Sequence, residues 1–430
     1  MKLAVVGAGW SGLAAAITAV QAGHQVSLFE ATRELGGRAR QLHAVLPDGR
    51  AVTLDNGQHI LIGAYRQTLN MLNLVGIDTP TSLLRQPLCL RFSDGRGLAL
   101  PDWPTPWNVL AGVLSATGWS ASDKLSLLRM ALRWRRTNFT CSPQTTVAQL
   151  CAQATPRILH DLITPLCVSA LNIGTDAASA TVFLRVLRDS LFGGPGGSDL
   201  LLPKVDLSTL FPHAAVAWLR QRSVQIETAR RVQQLVPAAG GWQVLEQRFD
   251  AVVLATPAAD AARILQASLH QMDQQHGAAA RHWSTMALAL QHTAICTVYT
   301  YQAGARLARP MIGLHSGSGP AQFVFDRGQL GGPAGLLAFV VSASSGERDA
   351  IQSACLRQGK SQLGLDLQAV QTVIEKRATF ACTPDTRRPT APITTGLWAC
   401  GDYVEGPYPA TLEGAIGSAV EVIRSSDSAM

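Results

Sequence analysis

The chain has 430 residues, a formal net charge of +7 at pH 7, 47% hydrophobic residues and only 15% charged residues. The length exceeds what one hydrophobic core usually supports, so two domains are expected, with either an unusually apolar surface or extensive burial around an apolar cavity. The positive charge is spread thinly, without runs of lysine and arginine interleaved with aromatic residues, and this argues against nucleic-acid binding.

The first predicted elements are a strand, a glycine-rich turn and a helix over roughly residues 12–22. Residues 3–12 read LAVVGAGWSG, and Glu30 follows the last of these glycines by eighteen positions. This spacing is typical of a turn whose helix N-terminal amides face a pyrophosphate while the carboxylate binds a ribose hydroxyl. The predicted contacts in the turn are Gly7, Gly9, Ser11 and Gly12. On its own the motif is a moderate signal, because such turns also occur without a ligand.

A second strand, over residues 25–30, ends at Glu30-Ala31 and leads into the turn Gly36-Gly37-Arg38. Adjacent glycines let the backbone approach a pyrophosphate closely, and Arg38 adds a positive charge there. The alternative is an ordinary surface turn. A further segment of cofactor-binding character, Asp55-Asn56-Gly57-Gln58-His59, follows, with Asn56 and Gly57 as predicted contacts.

The third cofactor-binding segment lies near the other end of the chain, where residues 397–415 read LWACGDYVEGPYPATLEGA. A strand over residues 396–400 would place Asp402 beside the ribityl chain of a flavin, whose hydroxyls a carboxylate can accept. A helix beginning near Thr411 would direct its positive end toward the N1–O2 region of the flavin. The predicted contacts are Gly401, Asp402, Thr411, Leu412 and Ala415. The alternative for Gly401-Asp402 is a hairpin turn.

The joint order of these segments favours FAD over a nicotinamide cofactor. A nicotinamide enzyme needs little protein beyond its first βαβ unit, whereas FAD continues to an isoalloxazine ring that a second part of the chain must cover. No cysteine lies between Gly401 and Glu413 to tether the flavin, so FAD is expected to bind non-covalently.

The predicted fold is α/β, with a Rossmann-like FAD-binding domain and a discontinuous α+β substrate domain. Between the two ends, the pattern predicts a helix over 208–222 and strands over 224–228, 242–246 and 250–255. The predicted FAD-binding domain comprises residues 1–78, 201–260 and 376–430. The predicted substrate domain comprises residues 79–200 and 261–375.

Residues 101–136 combine four tryptophans with the basic helical pattern KLSLLRMALRWRR. Leu125, Leu128 and Leu132 recur at helical spacing, and the aromatic and basic mixture suits a helix in a membrane interface. The alternative is a core-facing helix with solvated arginines at its C-terminus, where cations are favoured. No stretch is apolar over enough residues to span a bilayer.

The eight cysteines include no CxxC pair and no metal-ligand spacing, so no metal site is expected. They are interpreted as reduced core residues of a cytoplasmic protein. Met1-Lys2 leads directly into the first strand, and no cleavable signal peptide is predicted.

Over nearly its whole length the chain resembles the flavin-containing amine oxidase and phytoene desaturase superfamily. More narrowly, it is similar to the hydroxysqualene dehydroxylases, FAD-dependent enzymes of bacterial hopanoid biosynthesis. The matching segments are Leu54-Asp55-Asn56-Gly57-Gln58-His59, Gly63-Ala64-Tyr65, Thr164-Pro165-Leu166-Cys167, Ala170-Leu171-Asn172, Leu201-Leu202-Pro203 and Leu210-Phe211-Pro212. One departure is Ile173-Gly174-Thr175, where that family has a proline-rich stretch. In flavoproteins of this kind a late strand returns beneath the adenine, so Val232 is a further expected cofactor contact.

The resemblance implies that hydroxysqualene loses its hydroxyl and gains a hydride, giving squalene. The hydroxyl lies on an allylic carbon, so its departure as water leaves a delocalised cation that reduced flavin N5 can reach by hydride transfer. An acid must protonate the leaving oxygen, and His59 is the first candidate because it follows the flavin-facing turn and titrates near neutrality. The alternative is a structural histidine bonded to a backbone carbonyl. Tyr65, Tyr403 and Tyr408 are further candidates that the sequence does not rank.

The expected partners are a long apolar isoprenoid substrate and other squalene-forming enzymes. The expected location is the cytoplasm, with peripheral contact to the inner membrane. The rival functions are an oxidative polyene desaturase with reversed electron flow, a flavin amine oxidase, a non-catalytic lipid-handling flavoprotein and a nicotinamide-binding Rossmann protein.

Overall fold

The structure is a computed structural model that describes residues 1–428. The strands, in chain order, are β1 (Lys2–Val6), β2 (Gln25–Phe29), β3 (Gln41–Val45), β4 (Ala51–Asp55), β5 (Leu61–Ile62), β6 (Leu83–Gln86), β7 (Cys89–Arg91), β8 (Gly97–Ala99), β9 (Leu200–Pro203), β10 (Gln225–Glu227), β11 (Leu235–Ala238), β12 (Gly241–Val244), β13 (Gln247–Phe249), β14 (Ala251–Leu254), β15 (His292–Tyr301), β16 (Met311–Gly313), β17 (Phe323–Asp326), β18 (Leu336–Ser344), β19 (Gln368–Phe380), β20 (Pro392–Thr394) and β21 (Leu397–Ala399). The helices are α1 (Trp10–Gln21), α2 (Arg66–Leu74), α3 (Thr79–Ser82), α4 (Trp107–Ser115), α5 (Ala121–Arg136), α6 (Val147–Leu150), α7 (Pro156–Ile158), α8 (Thr164–Leu171), α9 (Ala180–Leu191), α10 (Leu207–Leu210), α11 (Pro212–Arg220), α12 (Ala258–Ser268), α13 (Gln274–Ala289), α14 (Arg348–Leu363) and α15 (Leu412–Ser428). A π-helical turn over Leu159–Ile163 joins α7 to α8, and short 3-10 helices lie at Leu269–Gln271, Ser316–Ser318 and Arg327–Leu330.

The first sheet has six strands in the order β10-β2-β1-β14-β21-β20, parallel except at the edge strand β20. All of β14 and most of β1 are buried, which explains why both are continuous apolar runs rather than alternating ones. Helix α1 packs against α11 and α15. This sheet and its helices confirm the predicted Rossmann-like half of the fold.

The second sheet is antiparallel, with five strands in the order β16-β17-β18-β15-β19. Successive side chains alternate between its two faces: Val324 packs in a cluster that includes residues of α14, whereas Phe323 and Phe325 line the cavity described below. Strand β19 continues past residue 375, where a domain limit was predicted. The sheet supplies the β part of the α+β substrate domain.

Helices α4 to α9 make up most of the segment between β8 and β9. The helical pattern predicted within residues 101–136 corresponds to α5, and α4 precedes it. Within residues 1–428, no helix has both the length and the apolar character that crossing a bilayer would require. The domain limits at residues 78, 200 and 260 stay predictions.

A candidate flavin site opening into an apolar cavity

A single cavity of about 980 Å³ joins segments from both ends of the chain. Sixteen of the seventeen residues predicted to contact FAD line it, and the predicted catalytic residue His59 lines it too. The lining members of the predicted cofactor set are Gly7, Gly9, Ser11, Glu30, Ala31, Gly36, Gly37, Arg38, Asn56, Gly57, Val232, Gly401, Asp402, Thr411, Leu412 and Ala415. Gly12 is the exception.

The first glycine-rich turn is shaped by close backbone packing. Gly7 has a φ of +108° and donates its N–H to the carbonyl of Phe29 at 2.7 Å. A Cβ on Gly12 would lie 1.8 Å from the Gly7 carbonyl oxygen, so Gly12 serves helix packing rather than the cavity wall. Helix α1 has Gly9 as its N-cap and no capping side chain, which leaves the amides of its first turn available to phosphate oxygens.

The end of β2 carries the carboxylate expected at a ribose. Glu30 accepts the Ala8 N–H at 2.9 Å through one oxygen and the Thr32 N–H at 2.8 Å through the other. These bonds fix the carboxylate on the cavity wall next to the glycine-rich turn. Val232 is buried and lines the same cavity. Both positions fit the adenosine half of FAD.

The second glycine-rich turn approaches the first directly. Gly36 and Gly37 have φ values of +101° and +64°, and a Cβ on Gly37 would lie 3.2 Å from the Cα of Gly9. Larger residues at these positions would separate the two turns. The cleft between them therefore fits a pyrophosphate held by backbone groups.

Arg38 and Asp402, which are 364 positions apart, form an ion pair of 2.6 Å. The Arg38 guanidinium also donates to the carbonyls of Arg377 and Ala378 at 3.0 and 2.7 Å. The Asp402 carboxylate raises the pKa of Arg38. Each residue was predicted as a separate cofactor contact, and the structure adds that they bind one another and join the two ends of the chain.

Asp55, the last residue of β4, and Asn56, which follows it, have different roles. Asp55 is buried outside the cavity lining and accepts the Leu207 N–H at 2.8 Å. Burial raises the pKa of Asp55 from 3.8 to about 6. Asn56 lines the cavity and donates to the carbonyl of Arg38 at 3.1 Å.

His59 has the hydrogen bond of a structural histidine. Its Nδ1 lies 2.8 Å from the Gly57 carbonyl oxygen, so Nδ1 carries the proton and donates it. Burial lowers the pKa of His59, with a smaller contribution from the positive charge of Arg38. A neutral ring in this tautomer presents a lone pair at Nε2 rather than a proton. The acid role predicted for His59 gains no support from this geometry.

The start of α15 contributes to the same wall. Thr411 Oγ1 accepts the Gly414 N–H at 2.9 Å and caps the helix. The buried carboxylate of Glu413 accepts the N–H groups of Gln67 and Thr68 at 2.9 Å, which fastens the start of α2. No sequence pattern indicates this role of Glu413, because its partners lie about 345 residues away.

The three candidate tyrosines all line the cavity, but they differ in their partners. The Tyr408 hydroxyl donates to Asp189 at 3.0 Å, and Asp189 also accepts from Arg188 at 2.7 Å. The Tyr403 hydroxyl is buried and has no hydrogen-bond partner among the described residues. Burial raises the pKa of Tyr65 and of Tyr403. Sequence reasoning missed Asp189.

The part of the cavity away from the glycine-rich turns is lined mainly by apolar side chains. They come from β7, α8, α9, β9, β15 and the cavity-facing sides of β16 to β18. The apolar lining residues of these elements are Leu90, Leu166, Ala170, Val182, Phe183, Val186, Leu187, Leu191, Leu200, Ile295, Met311, Phe323, Phe325 and Val340.

Asn172 holds this apolar wall together. It ends α8 in the left-handed conformation, with a φ of +52°, and is buried. Its amide donates to the hydroxyls of Thr293 and Thr379, both at 2.9 Å, and its side-chain oxygen accepts the Ala343 N–H. One side chain thus binds α8 to the three strands β15, β18 and β19, where β15 is bulged.

Known proteins share both the sequence pattern and the fold. Residues 10–422 match the family model described as flavin containing amine oxidoreductase. Hydroxysqualene dehydroxylase from Zymomonas mobilis is 23% identical over 437 residues, and the alignment covers 96% of this chain and 96% of that protein. Hydroxysqualene dehydroxylase from Rhodopseudomonas palustris is 27% identical, with 96% of this chain and 95% of that protein covered. 15-cis-Phytoene desaturase from Synechococcus elongatus is 28% identical over 44% of this chain and 41% of its own.

Among solved structures, an oxidoreductase from Methanosarcina mazei has a TM-score of 0.72 at 16% identity, covering 99% of this chain and 100% of its own. Cyclohexylamine oxidase from Brevibacterium oxydans has a TM-score of 0.64 at 12% identity, covering 99% of each chain. At these identities the likeness concerns the fold. Because the family model spans almost the whole chain, the protein belongs to the flavin-containing amine oxidoreductase family and is an FAD-dependent oxidoreductase.

Proposed function

We propose that this protein is a hydroxysqualene dehydroxylase, which converts hydroxysqualene to squalene for hopanoid synthesis. The observation that carries the proposal is the lining of the cavity, in which residues fitted to FAD and a wall of apolar side chains share one space. Such a space suits a hydrocarbon alcohol, since burial of its apolar surface drives binding.

The extent of the sequence matches supports the same choice. The two hydroxysqualene dehydroxylases align over 96% of the chain, whereas the phytoene desaturase aligns over 44%. The residues that form the substrate wall, from α8 to β18, are included in the longer alignments. An oxidative polyene desaturase is therefore the second candidate, supported by the shorter match.

The reaction requires that the allylic C–O bond break as a proton reaches the oxygen, so that water leaves and a delocalised cation remains. Reduced FAD, when bound, supplies the hydride that forms the new C–H bond and is itself oxidised. The apolar wall contributes by excluding bulk water, which would otherwise capture the cation and restore the alcohol.

Tyr408 and Asp189 are the residues we assign to the leaving oxygen. They form a hydrogen-bonded pair on the cavity wall, where Val186 and Leu187 of α9 also lie. Burial and the bond to Asp189 raise the pKa of Tyr408, so its phenol stays protonated. A substrate hydroxyl that replaces Asp189 as the acceptor of the Tyr408 O–H would be held at one point of the cavity, and the phenolic proton would pass to the oxygen as the C–O bond breaks. Tyr403 lacks a partner that would orient its hydroxyl.

We also propose that the flavin is held non-covalently. All eight cysteines lie within the described residues, and none of them lines the cavity. Precipitating the yellow protein with acid should leave the flavin in the supernatant. Flavin that stays with the pellet would contradict this assignment.

The proposed function is tested by incubating anaerobically reduced protein with hydroxysqualene and measuring squalene by mass spectrometry. Squalene formation together with reoxidation of the flavin supports the dehydroxylase. Dehydrogenation of phytoene or squalene by the oxidised protein, without conversion of hydroxysqualene, would replace it with the desaturase. Turnover of putrescine or cyclohexylamine would instead indicate an amine oxidase.

A further inference from the structure

We propose that helices α4 and α5 form a surface that docks on an anionic lipid bilayer. Large hydrophobic side chains that face solvent are concentrated there: six of the eight among the described residues lie between positions 103 and 132. These six side chains, called the α4–α5 face from here on, are Trp103, Trp107, Leu110, Leu114, Leu125 and Leu132. The other two, Val45 and Leu288, lie apart from it in the sequence.

Each of the two helices already has a separate buried side. Helix α4 buries Asn108, Gly112 and Val113, while Trp107, Leu110 and Leu114 recur at three- and four-residue spacing on its exposed side. Trp107 is 63% exposed and Leu114 is 56% exposed. A core-facing helix, the alternative given above, accounts for the buried sides of α4 and α5. It does not account for the exposed hydrophobic stripe on α4.

Helix α5 adds positive charge beside α4, because Lys124 of α5 donates to the carbonyl of Leu114 of α4 at 2.6 Å. Leu125, Arg129, Leu132 and Arg136 follow one another at helical spacing, so apolar and cationic side chains alternate along one stripe. Arg129, Arg133 and Arg136 are exposed and have no acidic partner within salt-bridge distance in the part of the chain that is described. Aromatic and leucine side chains beside unpaired arginines match the interfacial region of a membrane with anionic headgroups.

The charge also argues against a second copy of the chain as the occupant. A symmetric dimer through this surface would bring the same arginines from both copies together. Like charges that face one another across an interface weaken it, whereas anionic headgroups neutralise them.

The α4–α5 face lies one β-hairpin away from the cavity. Gly112 of α4 packs so closely on β8 that a Cβ there would lie 3.2 Å from the Ala99 carbonyl oxygen. Strand β8 pairs with β7, and Leu90 of β7 lines the apolar part of the cavity. Docking would therefore hold the substrate cavity close to the bilayer. The reason for placing the cavity near a bilayer rests on the proposed function, whereas the proposal of a docking surface does not.

Flotation with vesicles tests the docking surface independently of catalysis. The FAD-loaded protein is mixed with phosphatidylcholine vesicles, with or without phosphatidylglycerol, and centrifuged through a density gradient. We expect flotation with the anionic vesicles, weakened by high salt, and at least a tenfold weaker association for the triple variant Trp107→Ser, Leu110→Ser, Leu114→Ser. The matched control Val45→Ser, Leu288→Ser removes the two exposed hydrophobic side chains elsewhere and should float like the unchanged protein.

Retention of the flavin spectrum in both variants confirms that they are folded. Absence of flotation for the unchanged protein, or equal flotation of the triple variant, would overturn the inference. A dimer in solution that the triple variant abolishes, without vesicle binding, would assign the surface to a second copy instead. Squalene formation measured in detergent reports on the proposed function separately, because it requires no vesicle.

Discussion

Asp55 gives the sharpest test of the turn beside the flavin site. The residue is 3% exposed, and burial raises the pKa of its carboxyl group from 3.8 to about 6. Between these two pKa values the Asp55 carboxyl group therefore holds a proton in the folded protein but has lost it in the unfolded chain. The stability that this group contributes is fully present below pH 3.8 and is lost as the pH rises through 6. The shift corresponds to a loss of about 3 kcal/mol.

Asp55→Asn removes the charge but keeps a side-chain oxygen for the Leu207 N–H. The variant should gain free energy of unfolding relative to the unchanged protein as the pH rises, by about 1.4 kcal/mol between pH 5 and pH 8, because about one unit of the shift lies in that interval. Urea unfolding followed by circular dichroism at each pH measures this difference. Only the change of this difference with pH tests the prediction, so the absolute free energies of unfolding do not enter.

Asp48→Asn serves as the matched control. The Arg50 side chain lowers the pKa of Asp48 from 3.8 to about 2, so both its folded and unfolded titrations end below pH 5. The stability difference for this variant should stay constant between pH 5 and pH 8. A flat difference for Asp55→Asn, or one that falls with rising pH, would refute the burial argument.

The remaining predictions concern the cavity. Tyr408→Phe should lower kcat for hydroxysqualene at least tenfold without changing the flavin spectrum, whereas Tyr403→Phe should leave kcat within about twofold, because that hydroxyl has no partner to lose. Asp402→Asn should weaken FAD binding by about tenfold or more, measured by fluorescence titration, since it removes a charge-assisted bond to Arg38. Gly12→Ala should yield protein without bound flavin, because the added Cβ would lie 1.8 Å from a backbone oxygen of the glycine-rich turn. Normal flavin content in this variant would show that the turn can relax.

The Rossmann-like half of the fold was predictable because its signals are local. The glycine turn and its flanking apolar runs located β1, β2 and β14 to within one or two residues, and α1 begins at Trp10 rather than at residue 12. Gly12 was assigned to the cofactor, although the geometry that requires a glycine there is contact with the Gly7 carbonyl. Sequence spacing does not distinguish these two uses of a glycine.

The substrate half was less predictable because its contacts are distant in sequence. Strand β15 pairs with β18 and β19 across tens of residues, and no strand was predicted over β15 to β19. Asn172 bonds to partners 121 and 207 positions away. Asp189 follows Arg185 and Arg188 on α9, a pattern that predicts solvent-exposed ion pairs along the helix. Its contact with Tyr408, 219 positions away, is visible only in the structure.

His59 shows where a local signal existed. Its hydrogen-bond partner, Gly57, lies only two residues away, so the structural role was within reach of short-range reasoning. The proton-donor role required a free Nδ1–H or a charged ring, and burial beside Arg38 disfavours the charged form.

Deuterium transfer tests most directly whether one cavity holds the flavin against the substrate carbon. The protein is reduced without oxygen in D₂O, where the N5 hydrogen of the flavin exchanges with solvent, and then mixed with one equivalent of hydroxysqualene. The proposed function predicts one squalene per flavin, carrying a single deuterium at the carbon that bore the hydroxyl, together with return of the oxidised flavin spectrum. Squalene without deuterium, or a flavin that stays reduced beside unchanged hydroxysqualene, would contradict it.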